Sequence, residues 1–436
     1  MMTRLFIALA CLVLAACNNP DPTNKPTIDT VAEGYVKLVL RVGQYDKDVV
    51  DAYYGPEEWK PAALESKDSP FPAKELLSLA ESLQTQLASV DVAAFSALEM
   101  ARFAMLGKQL TAIATKISML NGATYSFDEE AKRLYDAEPP SFPLSHFDEL
   151  LTQLDAKLPG EGSVAERYSA FANDFVIPKE KLDDVFRVAI AEARKRTLAH
   201  FTLAENENFV LEYVNDKSWS GYNYYQGNGQ SLIQLNTDFP IYIDRAIDLA
   251  AHEGYPGHHV FNALLEMNLV KNRGWMEFSV YQLFSPQSLI AEGSANYGID
   301  VVFPGDSRLE YEKTVLFPLA GLDANKADLY YEIQAIRGKL NYAGNEAARL
   351  YLNGEITREQ AAAMLETYLL YEPDRALQRT RFMDQYRSYV INYNLGKDLV
   401  ADYVESQGGT ADNPEKRWQI FQELLSNPHT ASTISR

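Results

Sequence analysis

The chain has 436 residues, 47% hydrophobic and 23% charged, a composition that belongs to a folded protein and excludes disordered and collagen-like chains. Forty basic against sixty acidic residues leave a net charge of −20, which repels phosphate backbones and argues against nucleic acid as a partner. Both cysteines, Cys11 and Cys17, lie near the N-terminus, so a disulfide-stapled fold, a zinc ribbon, an iron–sulfur site and a cysteine protease are excluded; any metal must be held by His, Asp and Glu.

Residues 1–16 read as a signal peptide: Arg4 is followed by an unbroken apolar run from Leu5 to Ala16, too short to span a bilayer. The run ends Leu14-Ala15-Ala16-Cys17, which resembles the bacterial lipobox. That resemblance implies cleavage before Cys17 and lipid on its sulfur. Residues 17–27 then form a proline-containing flexible tether. Asn18 is not the Asp that usually retains lipoproteins in the inner membrane, so an outer-membrane anchor facing the periplasm is expected, with the N-terminal lipid as the membrane contact.

Residues 28–205 read as a helical region. Ala73 to Leu87 carries Leu76, Leu77, Ala80, Leu83 and Leu87 at helical spacing, and Val92 to Leu120 reads as a core helix. Lys179 to Leu203 opens a third helix after Pro178, with breakers at Pro139-Pro140 and Pro159-Gly160 between. The texture changes at Asn206. Asn208 to Val214 and Gln230 to Asn236 are strand-like, Trp219 to Tyr225 is rich in aromatics, and Gly227-Asn228-Gly229 is a turn. After Pro240 the pattern returns to helix, so residues 206–436 are expected to form a catalytic region. The fold class is mainly α, with one small sheet beside the helix that carries the chemistry.

Three of the six histidines fall in His252-Glu253-Gly254-Tyr255-Pro256-Gly257-His258-His259. A His followed by Glu opens the zincin helix, in which a second His at i+4 shares the face and completes a metal pair. Here i+4 is Pro256. Pro256 has no N–H for the carbonyl of His252, and Gly257 permits an unusual backbone angle, so the two can break or bulge the helix. On an unbroken helix His259 would share the face of His252; with two residues looped out, His258 takes that place. Geometry read from the sequence leaves both open. His146, His200 and His429 stand alone.

The His-Glu-x-x-Pro-Gly-His-His segment is similar to the signature of the DUF885 family of bacterial proteins, relatives of the gluzincin-type HExxH zinc metallopeptidases. Glu292-Gly293-Ser294-Ala295-Asn296-Tyr297 resembles the family's Glu-Gly-Trp-Ala-x-Tyr, with Ser294 in place of Trp. Thr357 to Ala361 and Tyr393-Asn394-Leu395-Gly396-Lys397 are also similar, whereas the family's Asp-Thr-Gly-x-His segment has no counterpart. The resemblance implies a zincin-like fold, one zinc ion per chain held by His252, His258 and Glu292, with His259 as the alternative ligand, and Glu253 as general base. It also implies Tyr393 as a donor to the oxyanion. Asn296, one turn after Glu292, is a candidate to orient a ligand histidine. Asn236 and Tyr255 are expected to contact substrate, and the strand from Ser231 to Asn236 is expected to pair with an extended peptide. The function implied is zinc-dependent hydrolysis of peptides. The other reading is a lipoprotein that binds peptide or envelope material around a structural or vestigial metal site.

Overall fold

The computed structural model describes residues 25–66 and 69–435. The signal peptide, the lipid site Cys17 and the tether up to residue 24 lie outside the described residues. The chain is mainly α-helical, as the periodicity predicts, with two small sheets. The helix Ala73–Ala88 buries Leu76, Ala80, Leu83 and Leu87, one face at helical spacing. The next helix starts at Ala97 rather than near Val92, because Ser96 caps it: the Ser96 hydroxyl accepts from the Glu99 N–H and the Glu99 carboxylate accepts from the Ser96 N–H at 2.8 Å. The expected third helix opens as a 3-10 turn at Lys179–Lys181 and continues as Leu182–Leu198.

Among the described residues there are five strands: β1 (Val50–Tyr53), β2 (Asn208–Val214), β3 (Gly221–Gly227), β4 (Gln230–Asn236) and β5 (Val280–Gln282). The larger sheet has the order β2-β4-β3, with β4 parallel to β2 and antiparallel to β3. Gly227, Asn228 and Gly229 all take positive φ, which lets the β3–β4 hairpin close. Because β4 is central, both its edges are paired, and the expected addition of a peptide strand along Ser231 to Asn236 is ruled out. The second sheet, β1 antiparallel to β5, joins segments some 230 residues apart and was not foreseen.

The main buried apolar cluster among the described residues runs from Val31 to Ile434. A smaller one, Phe186, Ile233, Leu235 and Leu249, seats the larger sheet against the helix that leads to His252. No described helix is long and apolar enough to cross a membrane. The helices Pro286–Val302 and Ile391–Ser406 cross with their backbones in contact. A Cβ on Gly293 would stand 2.3 Å from the carbonyl of Gly396, and one on Gly396 would stand 2.7 Å from the carbonyl oxygen of Leu289. The two motifs noted in sequence, around Glu292 and around Tyr393, are thus the two sides of one crossing. Gly293→Ala is therefore expected to destabilise the protein by about 1–3 kcal/mol, measured by chemical denaturation.

Candidate metal centre

The helix Asp244–Leu249 runs into a π-helical turn, Ala250–Gly254, whose close is marked by the Tyr255 N–H donating to the Ala250 carbonyl at 3.0 Å. The Tyr255–Pro256 peptide is cis, the Gly257 N–H donates to the Ala251 carbonyl at 2.9 Å, and a new helix begins at His258. A Cβ on Gly257 would lie 1.8 Å from the carbonyl oxygen of His252, so no other residue fits there. This break carries His258 back to His252, and their Nε2 atoms stand 3.2 Å apart. His259 points the other way. It is fully buried, with Nδ1 2.9 Å from the Ser231 hydroxyl and Nε2 3.0 Å from Glu207.

Glu292 reaches the same point from the crossing helix. Its Oε2 lies 3.2 Å from His252 Nε2 and 3.6 Å from His258 Nε2. All three donor atoms lie within 4.8 Å of one another, forming a cluster that can hold a metal ion. Tetrahedral ligands at about 2.0–2.1 Å from zinc stand roughly 3.3 Å apart, which these separations match. Glu292 Oε2 is buried without a hydrogen-bond partner, an atom that calls for a cation. Its other oxygen accepts from the Tyr389 hydroxyl at 2.7 Å. Asn296 Oδ1 lies 3.1 Å from His252 Nδ1, and its amide donates to the Tyr393 carbonyl at 3.0 Å. With Asn296 accepting from Nδ1–H, the neutral His252 ring has its Nε2 lone pair facing the cluster.

Charge is concentrated here. Burial would raise Glu292, but His258 and His252 outweigh it and hold the carboxyl far below its usual range. Burial disfavours a charged His258, yet Glu292, Glu253 and Asp51 together push it up to about 9. Burial pushes Glu253 up, against the pull of His252 and His258. Asp51, on β1, is raised by burial to about 6 although the Tyr222 hydroxyl donates to it. Three carboxyl groups around two imidazoles make a site that favours a divalent cation.

The centre opens into a cavity of about 1250 Å³. Glu253 lines it, 4% exposed, its backbone carbonyl held by the Asn223 amide at 2.8 Å. Gly221 on β3 leaves room for that carboxyl, since a Cβ there would stand 2.8 Å from Oε1. Tyr393 lines the same cavity. Asn236 lines it too, but its amide is spent on the Lys217 and Trp219 carbonyls at 3.1 and 3.0 Å, tying the β2–β3 loop to the end of β4. Tyr255 is placed elsewhere. It is 1% exposed, away from the cavity, and its hydroxyl donates to Glu207 at 2.6 Å, so the expected substrate contact is absent. Asp51 and Tyr389 were missed. Asp51 is the one charged residue in Val49-Val50-Asp51-Ala52-Tyr53, a signal that a short strand was burying a functional acid.

Two outcomes test this arrangement. His258→Ala should abolish divalent-ion binding in calorimetry, whereas His259→Ala should retain one ion per chain and cost about 1–3 kcal/mol of stability, because it strips Glu207 and Ser231 of a buried partner. Burial would raise the Glu207 carboxyl, but His259, Tyr255 and Arg194 bring it from 4.5 down to about 2. A carboxyl lowered on folding stabilises fully above its unfolded value, and that contribution is lost as pH falls through the folded one. The protein should therefore lose up to about 3 kcal/mol between pH 4.5 and 2, a slope in urea melts that Glu207→Gln should flatten.

No protein-family model and no curated protein sequence matches this chain. Among solved structures, a protein from Colwellia psychrerythraea, provisionally described as a lipoprotein, superposes with a TM-score of 0.50 at 16% identity, over 83% of this chain and 66% of that one. A second, from Shewanella oneidensis, with the same provisional description and of unknown function, gives a TM-score of 0.46 at 14% identity, over 83% of this chain and 70% of that one. This chain thus spans just under two thirds of the Colwellia protein's length, and the likeness is one of fold.

Proposed function

We propose that this chain is a zinc-dependent peptidase of the DUF885 type, anchored by lipid on Cys17 to the outer membrane and facing the periplasm. The observation that carries the chemistry is the convergence of His252, His258 and Glu292 with Glu253 beside them in one cavity. The Leu14-Ala15-Ala16-Cys17 ending supports the anchor, and the provisional lipoprotein description of the Colwellia protein is in keeping with it. Two imidazoles and one carboxylate, with no cysteine among the described residues, are a donor set suited to zinc. Zinc bound there supplies a water of lowered pKa and a Lewis acid for the scissile carbonyl.

The protein's own groups do the rest. Glu253 accepts the proton of the attacking water and passes it to the leaving amine, and burial pushes its carboxyl up. The Tyr393 hydroxyl, kept protonated by burial and by the charge of Glu292, donates to the oxygen of the attacked carbonyl. Asn296 and Tyr389 hold His252 and Glu292 in place, so neither has to reorganise as charge develops.

Protein from residue 18 onward should carry about one zinc per chain. Glu253→Gln should lower hydrolysis of a peptide library by about 10²–10⁴-fold with zinc content retained. Activity surviving that change would exclude Glu253 as the base. Wild-type protein that binds peptides and cuts none would be a binding lipoprotein instead.

A further inference from the structure

The cavity that holds the metal cluster also holds unneutralised positive charge. Several of its cations are paired: Arg308 with Asp248 at 2.9 Å and Glu312 at 3.0 Å, Arg245 with Asp248 at 3.0 Å, Lys397 with Asp300 at 2.7 Å. Arg337, Arg375 and Arg379 line the same cavity, and none of them forms an ion pair among the described residues. Arg375 and Arg379 sit four residues apart on the helix Pro373–Tyr386 and so share a face, a spacing at which like charges repel. Arg337 comes from the helix Ala327–Lys339. Its Nε is buried without a partner, while one terminal nitrogen donates to Gln334 at 3.1 Å.

The three guanidinium groups are held by aromatic faces rather than by acids. Arg375 lies 4.5 Å from the centre of the Tyr371 ring, Arg379 4.2 Å from that of Phe382, and Arg337 5.1 Å from that of Tyr168. They converge. Burial would raise the Tyr371 hydroxyl, yet Arg375, Arg379, Arg337 and Arg245 together hold it below its ordinary value. Asp244 lies within electrostatic reach of Arg337, but its Oδ1 already accepts from the Tyr330 hydroxyl at 2.7 Å. The cluster also abuts the reaction centre, since Arg379 lies 5.9 Å from the centre of the Tyr393 ring. A protein of net charge −20 that leaves three arginines unpaired in one cavity is presenting them to an anion.

We infer that Arg337, Arg375 and Arg379 form a subsite for a carboxylate of the substrate, so that the enzyme selects peptides bearing negative charge near the bond it cuts. This rests on the peptidase reading for the identity of the ligand, though not for the existence of the anion site. Guanidinium forks match carboxylates in a plane, and the aromatic faces fix their orientation. Both the C-terminal carboxylate and an Asp or Glu side chain carry that chemistry.

The test uses zinc-loaded Glu253→Gln protein, which holds peptides without cutting them, and reads binding by calorimetry. Three peptides are compared: a free acid, its C-terminal amide, and the same amide with one internal residue replaced by Glu. At least one charged peptide should bind about tenfold or more tighter than the plain amide. Tighter binding of the free acid assigns the terminal carboxylate, and tighter binding of the Glu peptide assigns a side chain. Arg375→Gln and Arg379→Gln should collapse the difference between charged and uncharged peptides, and Arg375→Lys should restore part of it. Equal binding of all three peptides to the parent, a measurement that needs no arginine variant to fold, would overturn the inference. So would a preference that persists when all three arginines are replaced. Peptides that wild type cuts without regard to charge would leave the peptidase reading standing and the subsite fallen. Charge-selective binding with no cleavage by wild type would do the reverse.

Discussion

No side chain fits between Gly257 and the carbonyl of His252, and the arrangement of the site depends on that contact. A straight helix would return a ligand after four residues. Here the π-helical turn, the proline and the glycine spend six, and a fresh helix opens on His258. The break has a second consequence. By turning His258 inward it turns His259 outward, into a buried group with Glu207, Tyr255 and Ser231 that ties the new helix to β4 and to the segment leading into β2. Two adjacent histidines thus do different work, one at the cluster and one in the scaffold behind it.

The cavity is electrically divided. Glu292, Glu253 and Asp51 crowd one region, and together they push His258 up to about 9 against its burial. Arg337, Arg375 and Arg379 line another, and none of the three forms an ion pair among the described residues. Burying either set alone is costly unless something of opposite sign arrives. A cation at the first and an anionic group at the second are complementary demands. Under the proposed function, a peptide with a carboxylate set back from the scissile bond would meet both.

Much of this was legible in the sequence, and the rest was not for identifiable reasons. The spans of β2 and β4 are the segments that alternation marks, and the Ala73–Ala88 helix is the one its leucines mark, because both signals are local. The order β2-β4-β3 is not local: neighbours in sequence pair as β3–β4, but β2 reaches over to the far side of β4. Asp51 escaped for the same reason, since it joins the cluster only once β1 has paired with β5. The choice between His258 and His259 turned on how far the helix would unwind at Pro256, which residue types allow but do not measure. Tyr389 lies one turn from Tyr393, and helical spacing places both on the same side. Only the fold shows which hydroxyl meets Glu292.

Asn296 connects the packing of the helices to the chemistry of the ligand. Its two amide atoms are assigned by their partners: the nitrogen donates to the Tyr393 carbonyl, so the oxygen is the atom left to face His252. An oxygen there calls for a proton on Nδ1, which in the neutral ring leaves the lone pair on Nε2, the atom that faces Glu292 and His258. The Tyr393 carbonyl lies within reach because the two helices meet at Gly293 and Gly396 with no side chain between them. The same helix crossing positions Glu292, its partner Tyr389 and the ring of Tyr393. The orientation of His252, the placement of Glu292 and the position of the Tyr393 ring are in this way set together by one contact between two glycines.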